Sequence, residues 1–320
     1  MSTNRADKLK EICEYKRTGV IDCHSHSGVL LYNFYKLLYP SLQSLEDLVR
    51  KMDKEQVNWS ICFPMSSFFF SVKEMFMDYQ LINSGMEKIP FEIANKYFLM
   101  EVRMFGDRIL PFINFNPTLL AKQQCAQIVE WSDEFGLYGL KLPTTGNLCS
   151  ALDLLGTPFV SLAEKFNWPI MVHSGRDDKS DPMNILKFSE RHSDIRICAA
   201  HSARYSKDFW DKVKFYRNVF VDISPFLLSC SDNVFQKSET IISLDFESPA
   251  KVIDNLFDML PDRLLWGTDE PWTKIARDPR NGSLVGASYE LEKKFLDSLS
   301  FEVREAIAWK NPKKFLGIEC

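Results

Sequence analysis

Histidine is scarce in this sequence. Only five occur in 320 residues, so where they stand is informative. Other absences narrow the field first. No cluster of Lys and Arg forms a basic stripe and the formal net charge is −4, so no nucleic-acid partner is expected. No run of eighteen apolar residues occurs, so no membrane span is expected. The opening MSTNRADKLKEICEYKR is polar and lacks the apolar segment of a secretory signal. None of the eight cysteines forms a C-x-x-C pair or a disulfide-like spacing. Cys23, Cys62 and Cys198 lie in apolar, strand-like runs and read as buried free thiols, which points to a reducing, cytoplasmic setting. No G-x-G-x-x-G follows a strand-like run, which argues against a dinucleotide fold. There is no sequence repeat and no low-complexity linker.

What is present is a recurring unit: a short apolar run, a polar turn, then an amphipathic helix. At 45% hydrophobic residues the chain can bury a large core. Eight runs read as strands: Val20–His24, Val57–Phe63, Ile109–Phe115, Leu137–Leu142, Pro169–His173, Ile195–His201, Asn218–Ile223 and Leu264–Thr268. Helix starts are legible between them. Ser44 caps SLEDLVRKM, Thr157 with Pro158 opens TPFVSLAEKF, and Ser248 with Pro249 opens SPAKVIDNLFDML. Strand–helix alternation implies a parallel sheet, and eight units imply an α/β fold of the (β/α)8 TIM-barrel type, one domain over 1–320. Two aromatic stretches, Ser27–Ser41 and Ser66–Phe105, enlarge the loops after strands one and two. They are expected to pack together as a lid or small subdomain over the pocket. An aromatic oligomer interface is the other use for them, so a homo-oligomer is a further expectation.

Four of the five histidines end strands: His24 and His26 on the first, His173 on the fifth, His201 on the sixth. His192, in SERHSD, reads as a solvated surface residue. Side chains alternate along a strand, so His24 and His26 should both point into the barrel and reach one ion side by side. His173 would come from the opposite wall, and Asp269 at the end of strand eight, in LLWGTDEPW, offers a carboxylate. Imidazole with a carboxylate suits a divalent metal such as zinc. Taken singly, each residue has an ordinary reading. A strand-end histidine is commonly a hydrogen-bonded pocket residue, and a strand-end Asp commonly caps a turn. Their convergence on one end of a barrel favours a shared site. Asp22 has the parity of His24 and His26 and lies deeper, as support for a ligand, whereas Cys23 and Ser25 should face the other way. Asp222, late in strand seven, is a candidate hydrogen-bond partner for a ligand histidine. Glu270 and Trp272 are candidates for the pocket rim.

The H-x-H of strand one, with histidines ending strands five and six and Asp on strand eight, resembles the amidohydrolase superfamily. The words IDCHSH, DRILPFINFNP, DRLLWGTDEPW and NPKKFLGI resemble its amidohydrolase-related (amidohydrolase-2) branch, over Val20 to Ile318. That branch holds hydrolases and non-oxidative decarboxylases, such as aminocarboxymuconate semialdehyde decarboxylase and resorcylate decarboxylase. The resemblance implies that His24, His26, His173 and Asp269 bind one zinc, or else manganese. It implies that His201 hydrogen-bonds the metal's water and handles its proton. In the wider superfamily a carbamylated lysine bridges two metals, and Lys141 stands at the comparable end of strand four. Otherwise Lys141 pairs with substrate charge or is a solvated strand-end lysine. Arg176 either grips a substrate carboxylate or pairs with Asp177 or Asp178. Trp272 completes the substrate-binding candidates.

The expected function is a metal-dependent hydrolase attacking an amide, ester or lactone carbonyl of a small, carboxylated molecule, with His201 and Asp269 as catalytic groups. The first alternative is a decarboxylase of a small aromatic or unsaturated acid. The second is a non-catalytic, ligand-binding barrel, against which the completeness of the ligand set argues.

Overall fold

The computed structural model describes residues 5–15, 18–29, 42–65, 89–105, 108–147, 149–234, 239–274, 276–277, 284–285 and 287–318. Each of the eight expected runs overlaps a strand, and the first two strands run on beyond theirs, to Val29 and Met65. The eight are β1 (Ile21–Val29), β3 (Trp59–Met65), β4 (Ile109–Asn114), β5 (Gly139–Leu142), β6 (Ile170–Val172), β7 (Ile197–Ala199), β8 (Val219–Asp222) and β9 (Leu264–Leu265). Consecutive strands of this set pair in parallel. A two-residue strand β2, Leu42–Gln43, adds antiparallel to the end of β1. The circle closes where the chain beyond β9 meets β1. Cys23 N donates to Trp266 O (3.0 Å), Asp269 N to His24 O (2.7 Å) and His26 N to Glu270 O (2.7 Å). The architecture is a TIM barrel.

Two apolar layers hold it. Inside lie Ile21, Cys23, Phe63, Phe112, Met171, Cys198, Phe220 and Leu265, sealed at the N-terminal end by Ile12, Trp309, Phe315 and Ile318. The larger layer lies between strands and helices. Ser44 accepts from Asp47 N (3.1 Å) and so caps Leu45–Lys54 as expected. Thr157 and Ser248 stand at the N-cap positions of Pro158–Phe166 and Pro249–Met259, but neither hydroxyl caps. Thr157 Oγ1 instead donates to Leu154 O (2.7 Å). Proline in the first turn leaves one fewer orphan N–H to satisfy.

Residues 92–105, assigned from sequence to the second enlarged loop, form a regular helix in the outer ring. Phe98, Leu99 and Val102 pack with Leu45 and Leu48, and Glu101 accepts from Leu45 N (2.7 Å) and Ser27 Oγ (2.9 Å). Ser27–Val29 likewise belong to β1. Residues 30–41 and 66–88, the rest of the expected lid, lie outside the described residues. Among the described residues no helix is long and apolar enough to cross a membrane.

Candidate metal centre

The local shape of β1 decides the site. Its ladder with β3 shifts register between Asp22 and Ser25, a β-bulge. Strict alternation would have sent Asp22 inward and Cys23 outward. With the bulge, Cys23 joins the apolar cluster inside the barrel. Asp22 turns to the β1–β9 seam, where it accepts from Thr268 N (3.0 Å), Thr268 Oγ1 (2.7 Å) and His24 N (3.0 Å). Burial pushes the Asp22 carboxyl up to about 7. Beyond the bulge alternation resumes. Ser25 hydrogen-bonds Ser60 (2.7 Å), and His24 and His26 share the opposite side.

His24 Nε2 lies 3.2 Å from His26 Nε2 and 3.3 Å from Asp269 Oδ1, and His26 Nε2 lies 3.2 Å from the same oxygen. These three atoms form the one group of potential metal donors found among the described residues. Their spacing has a simple meaning. Zinc–ligand bonds of about 2.0–2.1 Å set the corners of a tetrahedron about 3.3–3.4 Å apart. The edges of the triangle, 3.2–3.3 Å, are close to that spacing. The donor set fits a divalent ion.

The protonation pattern fits as well. His24 Nδ1 makes a short hydrogen bond to Asp222 Oδ2, so Nε2 carries the lone pair. Asp222 is itself held by Ser224 N (2.7 Å) and Ser224 Oγ (2.9 Å), and burial pushes its carboxyl up to about 8. Burial also drives His24 well below the ordinary histidine range, with Lys141 and neighbouring imidazoles adding to the effect. His26 is lowered by burial, against the pull of Asp269. Neutral imidazoles are what a metal requires.

Asp269 reaches this position because the β9 turn comes very close to β1. A Cβ on Gly267 would sit 2.9 Å from both N and Cβ of His24, so only glycine fits. Asp269 itself has φ of +56° and is clamped by its N–H on His24 O and by Trp272 N on its own carbonyl (2.7 Å). Trp272 is half-buried beside it. Glu270, read from sequence as a rim residue, is instead buried and bound by Lys51 and by Thr273 Oγ1 (2.9 Å).

His173 and His201 form an adjacent pair. His173 Nδ1 lies 3.0 Å from His201 Nε2, and His173 falls outside the three-atom group. His201 Nδ1 donates to Ser224 O (2.7 Å) and lies 3.8 Å from Asp269 Oδ2. Both imidazoles are held well below the ordinary range, by burial first and then by Arg204 for His173 and by His173 and Arg204 for His201. Lys141 Nζ is 3.2 Å from His24 Nε2 and 4.5 Å from the centre of the Phe63 ring. Burial lowers its pKa to about 8, against the charges of Asp269 and Asp222. Arg176 is exposed, and Asp177 accepts from Lys179 N and Ser180 N. His192 is half-buried and stacks on Phe188 rather than standing free in solvent.

Sequence reasoning did not find Ser224 or Arg204. Arg204 lies on a run, His201–Tyr205, in which all five φ values fall between +48° and +58°. Left-handed backbone costs about 1–2 kcal/mol per residue. Trp210 Nε1 on Ser202 O, Arg204 Nε on Ser174 O and Ile242 N on Tyr205 O, each at 3.0 Å, hold it. Five non-glycine residues carry no sequence signal for such a turn.

The family model described as Amidohydrolase matches residues 84–318. The chain belongs to the amidohydrolase family. A search of curated proteins finds no match. Among solved structures, the amidohydrolase barrel is similar to a probable 2-pyrone-4,6-dicarboxylic acid hydrolase from Acinetobacter baumannii with citric acid bound. Identity is 15%, the TM-score is 0.59, and 93% of this chain and 99% of that one are covered. It is similar to 5-carboxyvanillate decarboxylase from Novosphingobium aromaticivorans, complexed with manganese and 4-hydroxy-3-methoxy-5-nitrobenzoic acid. There identity is 11%, the TM-score 0.60, and coverage 94% and 97%. An amidohydrolase from Burkholderia multivorans with bound zinc matches at 14% identity and a TM-score of 0.59, covering 94% of this chain and 100% of that one. At these identities the likeness establishes a shared fold.

Proposed function

We propose that this amidohydrolase is a metal-dependent hydrolase acting on the carbonyl of an amide, ester or lactone. The observation that carries the reading is the triangle of His24 Nε2, His26 Nε2 and Asp269 Oδ1, with edges of 3.2–3.3 Å. His173 is assigned the fourth ligand position through Nε2, since its Nδ1 faces His201. Zinc suits the donors best and manganese is second. When bound, such an ion lowers the pKa of water from ~15.7 towards ~7 and polarises a carbonyl oxygen.

The chain's own residues supply the rest. Asp222 keeps the His24 lone pair turned inward. Ser224 O fixes His201 Nδ1–H, so Nε2 is the basic atom of His201, and with His173 Nε2 reserved for the ion the His173 Nδ1–H is the donor that faces it at 3.0 Å. Asp269 is assigned as a second proton acceptor for the substrate; its Oδ2 lies 3.8 Å from His201 Nδ1, whose proton stays on Ser224 O. Lys141 and Trp272 are assigned to substrate contact, with Arg176 at the outer edge. The test is a panel of amides, esters and lactones. Turnover should vanish on chelation and return with zinc or manganese. A fully metallated protein silent across the panel overturns the reading.

Decarboxylation of a small aromatic acid is the second reading, favoured by the cationic surroundings. Lys141 Nζ is 3.2 Å from His24, and the charge of Arg204 acts on both His173 and His201. Carbon dioxide release from such acids separates the two chemistries. A second ion held by carbamylated Lys141 is the minority arrangement, and it would appear as two metals per chain.

A further inference from the structure

The segment 222–228 holds both arms of the site. Asp222 orients His24, and the Ser224 carbonyl holds His201 Nδ1 at 2.7 Å. The helix Phe226–Val234 begins immediately afterwards, with Pro225 O accepting from Ser229 N. Its first N–H groups need acceptors, which a Ser or Asp side chain at the N-cap ordinarily supplies. Here the N-cap residue is proline. The preceding residue, Ser224, spends its N–H and its hydroxyl on Asp222. Its carbonyl is spent on His201. The site has thus consumed the local means of capping this helix.

The missing acceptor comes from outside the barrel. Glu292, on the helix Tyr289–Ser298, is fully buried, and its Oε1 accepts from Leu227 N at 2.9 Å. Burial pushes its carboxyl up to about 8, and the N–H groups of Leu227, Phe226 and Leu228 work against that rise. The Phe226 and Phe295 rings stack at 5.1 Å along the same contact. The other oxygen, Oε2, has no partner among the described residues. A buried carboxyl is a costly way to fill space, and a methionine would pack there at lower cost. The acceptor is what the position requires.

We propose that Glu292 is a positioning residue. It anchors the 225–228 turn from behind, and so fixes the Ser224 carbonyl that sets the orientation of His201. This rests on the reading of His201 as the proton-handling group. The experiment is imidazole ¹⁵N–¹H correlation spectroscopy of the full chain, with and without zinc. The Nδ1–H signal of His201 is assigned by its loss in His201→Asn. In Glu292→Met, which fills the volume without an acceptor, that signal should shift or broaden away while the His192 signal stays. Glu292→Gln retains Oε1 and should restore the wild-type position, even if melting falls because Nε2 is buried without an acceptor. Should Glu292→Met not fold, Glu292→Asp withdraws the carboxylate by one carbon and should still move the signal. An unmoved His201 signal in Glu292→Met or Glu292→Asp overturns the proposal. Simultaneous loss of the His192 signal also overturns it, because that marks general loosening. The zinc-free spectra stand alone, so a failure to bind zinc would sink the hydrolase reading and leave this test intact.

Discussion

Replacing Asp222 by asparagine separates the metal centre from an ordinary buried hydrogen-bond network. Asp222 Oδ2 receives His24 Nδ1–H and Ser224 Oγ–H, and Oδ1 receives Ser224 N–H. Every partner donates. Asparagine must turn its amide nitrogen towards one side. Facing His24, it sets donor against donor and forces the imidazole proton to Nε2, the atom that faces His26 and Asp269. Facing Ser224 N–H, it leaves a buried donor unpaired at a cost of about 1–3 kcal/mol. Partners behind a ligand histidine are typically worth about 10–100-fold in metal affinity, which converts to ~1.4–2.7 kcal/mol. Asp222→Asn should therefore weaken zinc binding by about that factor, measured by competition with a chromophoric chelator. Unchanged affinity in a folded Asp222→Asn protein would refute the reasoning, because His24 would then not be a ligand oriented by Asp222.

Other outcomes follow from the same geometry. Gly267→Ala forces a methyl against His24 and should destabilise by about 1–3 kcal/mol, read in thermal or urea unfolding, with metal binding weakened alongside. Metal-free protein should lose stability as pH rises from about 6.5 to 8. Over that range Asp22 (about 7) and Glu292 (about 8) keep protons when folded that the unfolded chain has released. Below 6.5 the lowered histidines act in the opposite sense, because the unfolded chain binds protons that the folded chain refuses. Glu292→Gln should flatten the upper part of that fall, and an equally steep melting profile would contradict it. Lys141→Met removes a cation 3.2 Å from His24 Nε2 and should raise KM for a carboxylated substrate more than it lowers kcat, read in steady-state kinetics.

Much of this was legible in the sequence, for identifiable reasons. Seven of the eight barrel strands are short and mostly apolar, so each expected run overlaps one; β1 is longer and polar, and only its first half was expected. The pairing of His24 with His26 follows from alternation, which holds beyond the bulge. The bulge itself is invisible, since nothing in IDCHSH marks where the ladder slips. Asp22 and Cys23 therefore exchanged their expected directions. The helix 92–105 is hard to tell from the aromatic loop in sequence because EIANKYFLMEVRMF is apolar on several faces, and Tyr97, Met100 and Met104 remain exposed beside the buried Phe98 and Leu99. Glu270 looked like a site residue because it adjoins Asp269, but its direction depends on Lys51 and Thr273, far away and nearby in sequence respectively. Ser224 acts through a backbone carbonyl, which residue identity does not encode. The distance from His201 to His173, and of both from the three-atom triangle, is likewise a property of the closed barrel alone.

The central claim is that His24, His26 and Asp269 hold one divalent ion. Its most direct test is elemental analysis of zinc per chain, after reconstitution and exhaustive dialysis, for the wild type and for Asp269→Ala. One zinc per chain in the wild type and a near-total loss in a folded Asp269→Ala protein are expected. An undiminished zinc content in Asp269→Ala, or none in the wild type, would contradict the account.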